Sequence, residues 1–196
     1  LPEAAVKQFV LPLLLIASPT ALAQTCIATA PSPGAQWTTA PDTSASPEAA
    51  LRIMTHLRCL SCIPQVSMTL TAGPAPRDMP LGEKTGTDWA RAVYDDAASR
   101  EGLRRSVLRS ELRSSPGCRM QGSVAGVTEI GNLGMVGMRI AAECSGGFIA
   151  PGEFYAGYDG TCLYQVQLVW GPGMTELPAA ARETVQTLLA GIRFGP

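Results

Sequence analysis

The segment Thr161-Cys162-Leu163-Tyr164-Gln165-Val166-Gln167-Leu168-Val169-Trp170 decides the fold. Cys162, Tyr164, Val166, Leu168 and Trp170 share one face, with Gln165 and Gln167 on the other. A period of two over ten residues, rich in aromatic and β-branched types, predicts a strand with one face in a core. Asp159-Gly160 before it is a pair that permits positive φ at a hairpin. Gly171-Pro172-Gly173 ends it. Beyond, in Pro178–Gly191 and the residue after it, Val185, Leu188, Leu189 and Ile192 fall at i, i+3, i+4 and i+7, an amphipathic helix. The expected centre is therefore one strand with the closing helix packed on it.

Working outward, Cys118–Ile130 and Leu133–Cys144 read as strands joined at Gly131-Asn132. In the second, Val136, Met138, Ile140, Ala142 and Cys144 share a face. Reflection about residue 131, with no bulge, sets Cys118 opposite Cys144 and predicts a cross-strand disulfide. Glu153–Tyr158 is a further strand, and Val66–Thr71 alternates as another. Gly73–Gly86 is a loop with three prolines and three glycines. Thr87-Asp88 caps a helix through about Leu103, burying Trp89, Ala92, Val93 and Ala97, with Gly102 weakening its end. Ser106–Arg113 either continues as helix or switches to a strand, and strand is the reading preferred. Ser46-Pro47-Glu48 has the N-cap, N1 and acidic first-turn signature of a helix start. That helix would run to about Leu60 with Leu51, Met54 and Arg58, together with Leu57, forming its stripe, and stop before Pro64. The fold class is α+β: an antiparallel sheet flanked by helices, one domain over residues 47–196.

The N-terminal residues look like a secretory leader. Lys7 is the basic region, Val10–Ala17 the apolar run, and Ala21-Leu22-Ala23 an A-x-A cleavage site. The run is too short to span a bilayer. Cleavage after Ala23 leaves no membrane span and starts the mature chain at Gln24. The residues before Cys26 lack the small residue that lipoprotein processing requires. Residues 24–46, rich in Ala, Pro, Ser and Thr, read as an extended, partly mobile arm tied by Cys26 and docked by Trp37. The expected location is periplasmic or secreted. A net charge of −1 supplies no field for nucleic acid.

All six cysteines, Cys26, Cys59, Cys62, Cys118, Cys144 and Cys162, follow the cleavage site, and an even count in an exported chain points to disulfides. Apart from Cys118 with Cys144, the pairing is open. Cys59-Leu60-Ser61-Cys62 has the spacing of a thiol–disulfide centre, but at the C-terminal end of its expected helix the dipole would not lower a thiol pKa. A structural pairing is the plainer reading. His56, one helical turn before Cys59, would with Cys62 give three soft metal ligands, one short of a structural zinc site. It is the sole histidine, so no other His-based triad can form, and no Gly-x-Ser-x-Gly elbow occurs. Met135 and Met138 point to opposite strand faces, which suits core packing, not copper. Asp95-Asp96 diverge by about 100° on a helix and would not act on one substrate. Arg105, Arg109 and Arg113 share a face as helix or strand; they read as solvated surface or as a contact for an anionic partner. No cofactor is expected.

The order of elements from Val66 onward, with Trp89–Ala98, Leu133–Cys144, Glu153–Trp170 and Leu177–Phe194 as its carriers, resembles the PsbP/DcrB-type α/β/α sandwich of extracytoplasmic proteins. The resemblance covers about 130 residues and depends on pattern. It implies a non-enzymatic binding or assembly module with an envelope or secreted protein partner, and carries over no catalytic residue. Separately, Leu57-Arg58-Cys59-Leu60-Ser61-Cys62 is similar to the LRCxxC stretch of CcmH-type cytochrome c maturation proteins. The continuation Ile63-Pro64-Gln65 departs from that family. The alternative function is thiol–disulfide exchange or metal handling at Cys59 and Cys62.

Overall fold

The computed structural model describes residues 25–32, 34–39, 51–77, 79–114, 117–145, 148–171, 174 and 176–195. The leader and the helix-start residues Ser46-Pro47-Glu48 lie outside the described residues. In chain order the elements are β1 (Ile27–Thr29), β2 (Trp37–Thr39), β3 (Arg52–Cys59), β4 (Val66–Pro74), α1 (Gly86–Asp95), α2 (Ala97–Ser114), β5 (Cys118–Ile130), β6 (Leu133–Cys144), β7 (Phe148–Tyr158), β8 (Cys162–Trp170), α3 (Ala179–Gly191) and β9 (Arg193–Gly195). Seven strands form one antiparallel sheet in the order β2-β3-β4-β8-β7-β6-β5, and β1 pairs with β9 in a second, two-stranded sheet.

β8 is the middle strand, as its alternation requires. Cys162, Tyr164, Val166, Leu168 and Trp170 are all buried, while the residues between them are half-exposed. The same face carries Val66, Met68, Leu70 and Ala72 of β4, and Leu57 and Cys59 of β3. Onto it α3 lays Ala181, Val185, Leu188 and Leu189, with Ile192 following. Apolar area removed from water stabilises by about 25 cal/mol per Å², and this layer holds the larger of the two buried clusters. The opposite face is covered over β5, β6 and β7 by α1 and α2, through Trp89, Ala90, Val93 and Val107 against Val136, Met138, Ile140, Phe154, Ala156 and Tyr158. Trp89 meets Tyr158 edge-on at 5.9 Å and donates its indole N–H to the Pro80 carbonyl at 3.0 Å. On that same face the β3–β4–β8 half presents half-exposed polar side chains, among them His56, Thr69, Thr71, Gln165 and Gln167.

Five expectations need correction. Arg52–Cys59 is a strand, not the second half of a helix. It pairs with β4 from Arg52↔Ala72 to Cys59↔Val66 and bulges at Met54, which slides the inward positions onto Leu57 and Cys59. Ser106–Arg113 is helical, within α2. The helix begun at Gly86 does not run through to Leu103. Asp96 takes extended backbone, φ −79° and ψ 114°, its carboxylate accepts the Ser99 N–H at 2.7 Å, and a second helix starts there with Gly102 inside it. Finally, β5 is not bulge-free. The two-residue turn at Gly131-Asn132 pairs Ile130 with Leu133, which by itself would set Cys118 opposite residue 145; the bulge at Ala125 shifts the pairing back by one to Cys144. The strand predicted at Glu153–Tyr158 also begins earlier, at Phe148.

The segment read as an arm contributes β1 and β2. Trp37 is buried and pairs with Cys59 across β2 and β3, and β1 lies on β9 near the C-terminus. Asn132, from the β5–β6 turn, holds β9 by two 2.9 Å bonds: its amide donates to the Phe194 carbonyl and its oxygen accepts the Phe194 N–H.

Candidate functional site

The six cysteines form three disulfides: Cys26–Cys162, Cys59–Cys62 and Cys118–Cys144. Each sits where the chain most needs a tie. Cys26–Cys162 fastens β1 to the start of the central strand, across 136 residues of sequence. Cys118–Cys144 joins directly opposed residues at the open end of the β5–β6 hairpin, with Cα atoms 4.0 Å apart. Cys59–Cys62 closes the β3–β4 loop.

The loop disulfide is the place where exchange chemistry was conceivable. Cys59 is fully buried beside Val66, and Cys62 is only 9% exposed. An attacking thiolate must reach a sulfur in line, and neither is presented for it. The pair follows a strand, and among the described residues no helix begins at it to stabilise a thiolate. His56 does not join them. In a strand, residues three apart face opposite sides. His56 turns to the polar face, with Nδ1 2.9 Å from the Thr69 hydroxyl, while Cys59 faces the core. The three-ligand grouping assumed a helical turn that is absent. Met135 and Met138 lie in the separate cores on either side of the sheet. Asp95 closes α1 and Asp96 caps α2, so they do not face one substrate.

A concavity with a polar lining lies elsewhere, on the α3 face toward the β5 edge. It holds about 230 Å³ and is lined by Gly126, Thr128, Gly137, Arg139, Glu153 and Tyr155, among others. Its floor is nearly bare backbone because Gly126 and Gly137 are paired across the strands beside the Ala125 bulge. The Tyr155 ring leans over that floor: a Cβ on Gly137 would lie 3.2 Å from its Cε1. Tyr155 donates its hydroxyl to Glu153 at 2.6 Å. Glu153 also faces Arg182 of α3 at 3.8 Å, and Arg139 faces Glu176 at 3.5 Å across an exposed gap. Burial, reinforced by the Glu153 carboxylate beside it, pushes the Tyr155 hydroxyl well above its ordinary pKa. These groups are arranged as hydrogen-bond and ion-pair partners, a lining suited to holding a polar segment.

None of these five side chains stood out in the sequence. Their signal was parity. Arg139 is in phase with Met135 and Gly137, and Glu153 with Tyr155, so charges ride on a core-facing register. A glycine inside a strand is the second clue.

No family model matches the chain, and no curated protein matches it. Among solved structures it is similar to LpqN of Mycobacterium tuberculosis, a protein involved in cell envelope biogenesis, with a TM-score of 0.46 and 12% identity over 92% of this chain and 88% of that one.

Proposed function

We propose that this chain is an exported, non-enzymatic binding or assembly module of the PsbP/DcrB type, acting in the periplasm or outside the cell and held together by disulfides. The observation that carries the proposal is the pairing of all six cysteines, since such bonds persist in oxidising compartments and are rare where thiols are kept reduced. A sheet covered by α3 on one side and by α1 and α2 on the other supports the sandwich assignment. The trough supports binding of a protein partner: about 230 Å³, open to one side, is below the roughly 300–1,000 Å³ that encloses a drug-sized ligand. It suits a polar side chain or extended segment that pairs with Arg139 and Glu153.

Expression of the full chain in an exporting host, followed by fractionation and N-terminal sequencing, tests this. The expected product is extracytoplasmic, begins at Gln24 and contains no free thiol. Cytosolic material with reduced cysteines would refute it. A glutathione titration separates the alternative. A Cys59–Cys62 bond that opens near the potentials of known exchange proteins would favour thiol chemistry, and a bond that resists reduction favours the staple.

A further inference from the structure

We propose that the outer side of α2 is a docking ridge for the surface of an anionic phospholipid bilayer. Five of the 15 basic residues of the chain lie in the 18 residues of α2, against two glutamates, in a molecule whose net charge is −1. The helix divides cleanly where it is described. Val107 is buried, and Leu103 and Leu108 pack against the sheet-facing core. Arg105, with its side chain 66% exposed, and the exposed Arg109 lie one turn apart on the other side. Arg113 follows at the same four-residue spacing in the sequence of α2. Four residues of α-helix rise about 6 Å, so the three positions span about 12 Å along the helix.

The local acids do not cancel this row. Glu101 grips Arg104 with two bonds, at 2.7 and 2.8 Å, and reaches Arg105 only at 3.4 Å. One carboxylate shared by two guanidinium groups leaves positive charge over. An exposed pair of this kind contributes little, so a phosphate oxygen can take the place of Glu101 at Arg105. A single small anion needs cations that converge. Cations strung along a helix on the outside of a sheet match a plane of anions, and guanidinium groups bind phosphates bidentately.

The test is co-sedimentation of the folded chain with vesicles of phosphatidylcholine alone and of phosphatidylcholine mixed with phosphatidylglycerol. Binding is expected only to the second, and it weakens as salt is added. The double variant Arg105→Glu/Arg109→Glu should lower partitioning roughly tenfold or more. Arg105→Gln/Arg109→Gln should lie between it and the parent, with melting temperatures unchanged in both. Equal binding to both vesicle types, no binding to either, or undiminished binding by the glutamate variant overturns the proposal. Binding to polyglutamate with none to phosphatidylglycerol also overturns it and assigns the ridge to an acidic protein. None of these outcomes bears on where the disulfides lie.

Discussion

Tyr164 shows how much one side chain can hold. It is fully buried in the central strand, its ring sits 5.0 Å from that of Phe194, and its hydroxyl donates to Asp159 at 2.8 Å, with the Gly195 carbonyl as a second acceptor 3.1 Å away. Desolvation, with the Asp159 carboxylate beside it, raises its pKa, as burial and Glu153 do for Tyr155. The folded chain therefore keeps protons that an unfolded tyrosine releases near pH 10. Below that pH this contribution to stability is complete. Above it the native state binds more protons than the unfolded state, so stability falls as pH rises. An alkaline spectrophotometric titration should show Tyr155 and Tyr164 ionising only as the fold opens. Glycine marks the opposite limit. A Cβ on Gly134 would lie 2.5 Å from Thr87 Cα and 2.8 Å from Thr87 Cβ, where α1 crosses β6. Gly134→Val should therefore cost roughly 1–3 kcal/mol in a denaturant melt, as overpacking does.

Elements with a clean period were legible in the sequence, and those with mixed signals were not. β8 and α3 each follow one period from end to end, so their place at the centre could be read directly. In β3 only Leu57 and Cys59 alternate cleanly inward, because the Met54 bulge breaks the phase. The helix-start signature upstream then outweighed two residues of alternation, and only pairing with β2 and β4 settles the strand. α2 is the reverse case. Val107 with Leu103 and Leu108 has helical spacing, but a polar, arginine-rich outer side dilutes it. The break between α1 and α2 rests on Asp96, whose bond to Ser99 also holds its carboxyl below the usual range. Asp96→Ala should lower the melting temperature by a few degrees and reduce helical circular dichroism, because it frees a backbone N–H in the first turn of α2. Cys118 faces Cys144 for a reason other than a bulge-free hairpin centred on residue 131: the turn centre lies half a residue further on, and the Ala125 bulge offsets it. The trough was invisible at this scale, since its residues come from three strands and one helix.

For the whole molecule, the three disulfides differ in what they constrain. Their sequence separations are 136, 26 and 3 residues. Loop-closure entropy in the unfolded chain makes the first about 1.5 kcal/mol more stabilising than the second, within the roughly 2–5 kcal/mol typical for a native bond in a small exported domain. Paired alanine substitutions should follow that order in thermal melts, with Cys26/Cys162 losing most. A larger loss for Cys59/Cys62 would mean that burial in the core, not chain entropy, sets the ranking. The measurement that bears most directly on the central claim is a disulfide map, by mass spectrometry, of the full chain expressed in an exporting host and purified without reductant. The account predicts three bonds, Cys26–Cys162, Cys59–Cys62 and Cys118–Cys144, and no free thiol; six reduced cysteines, or a different pairing, would contradict it.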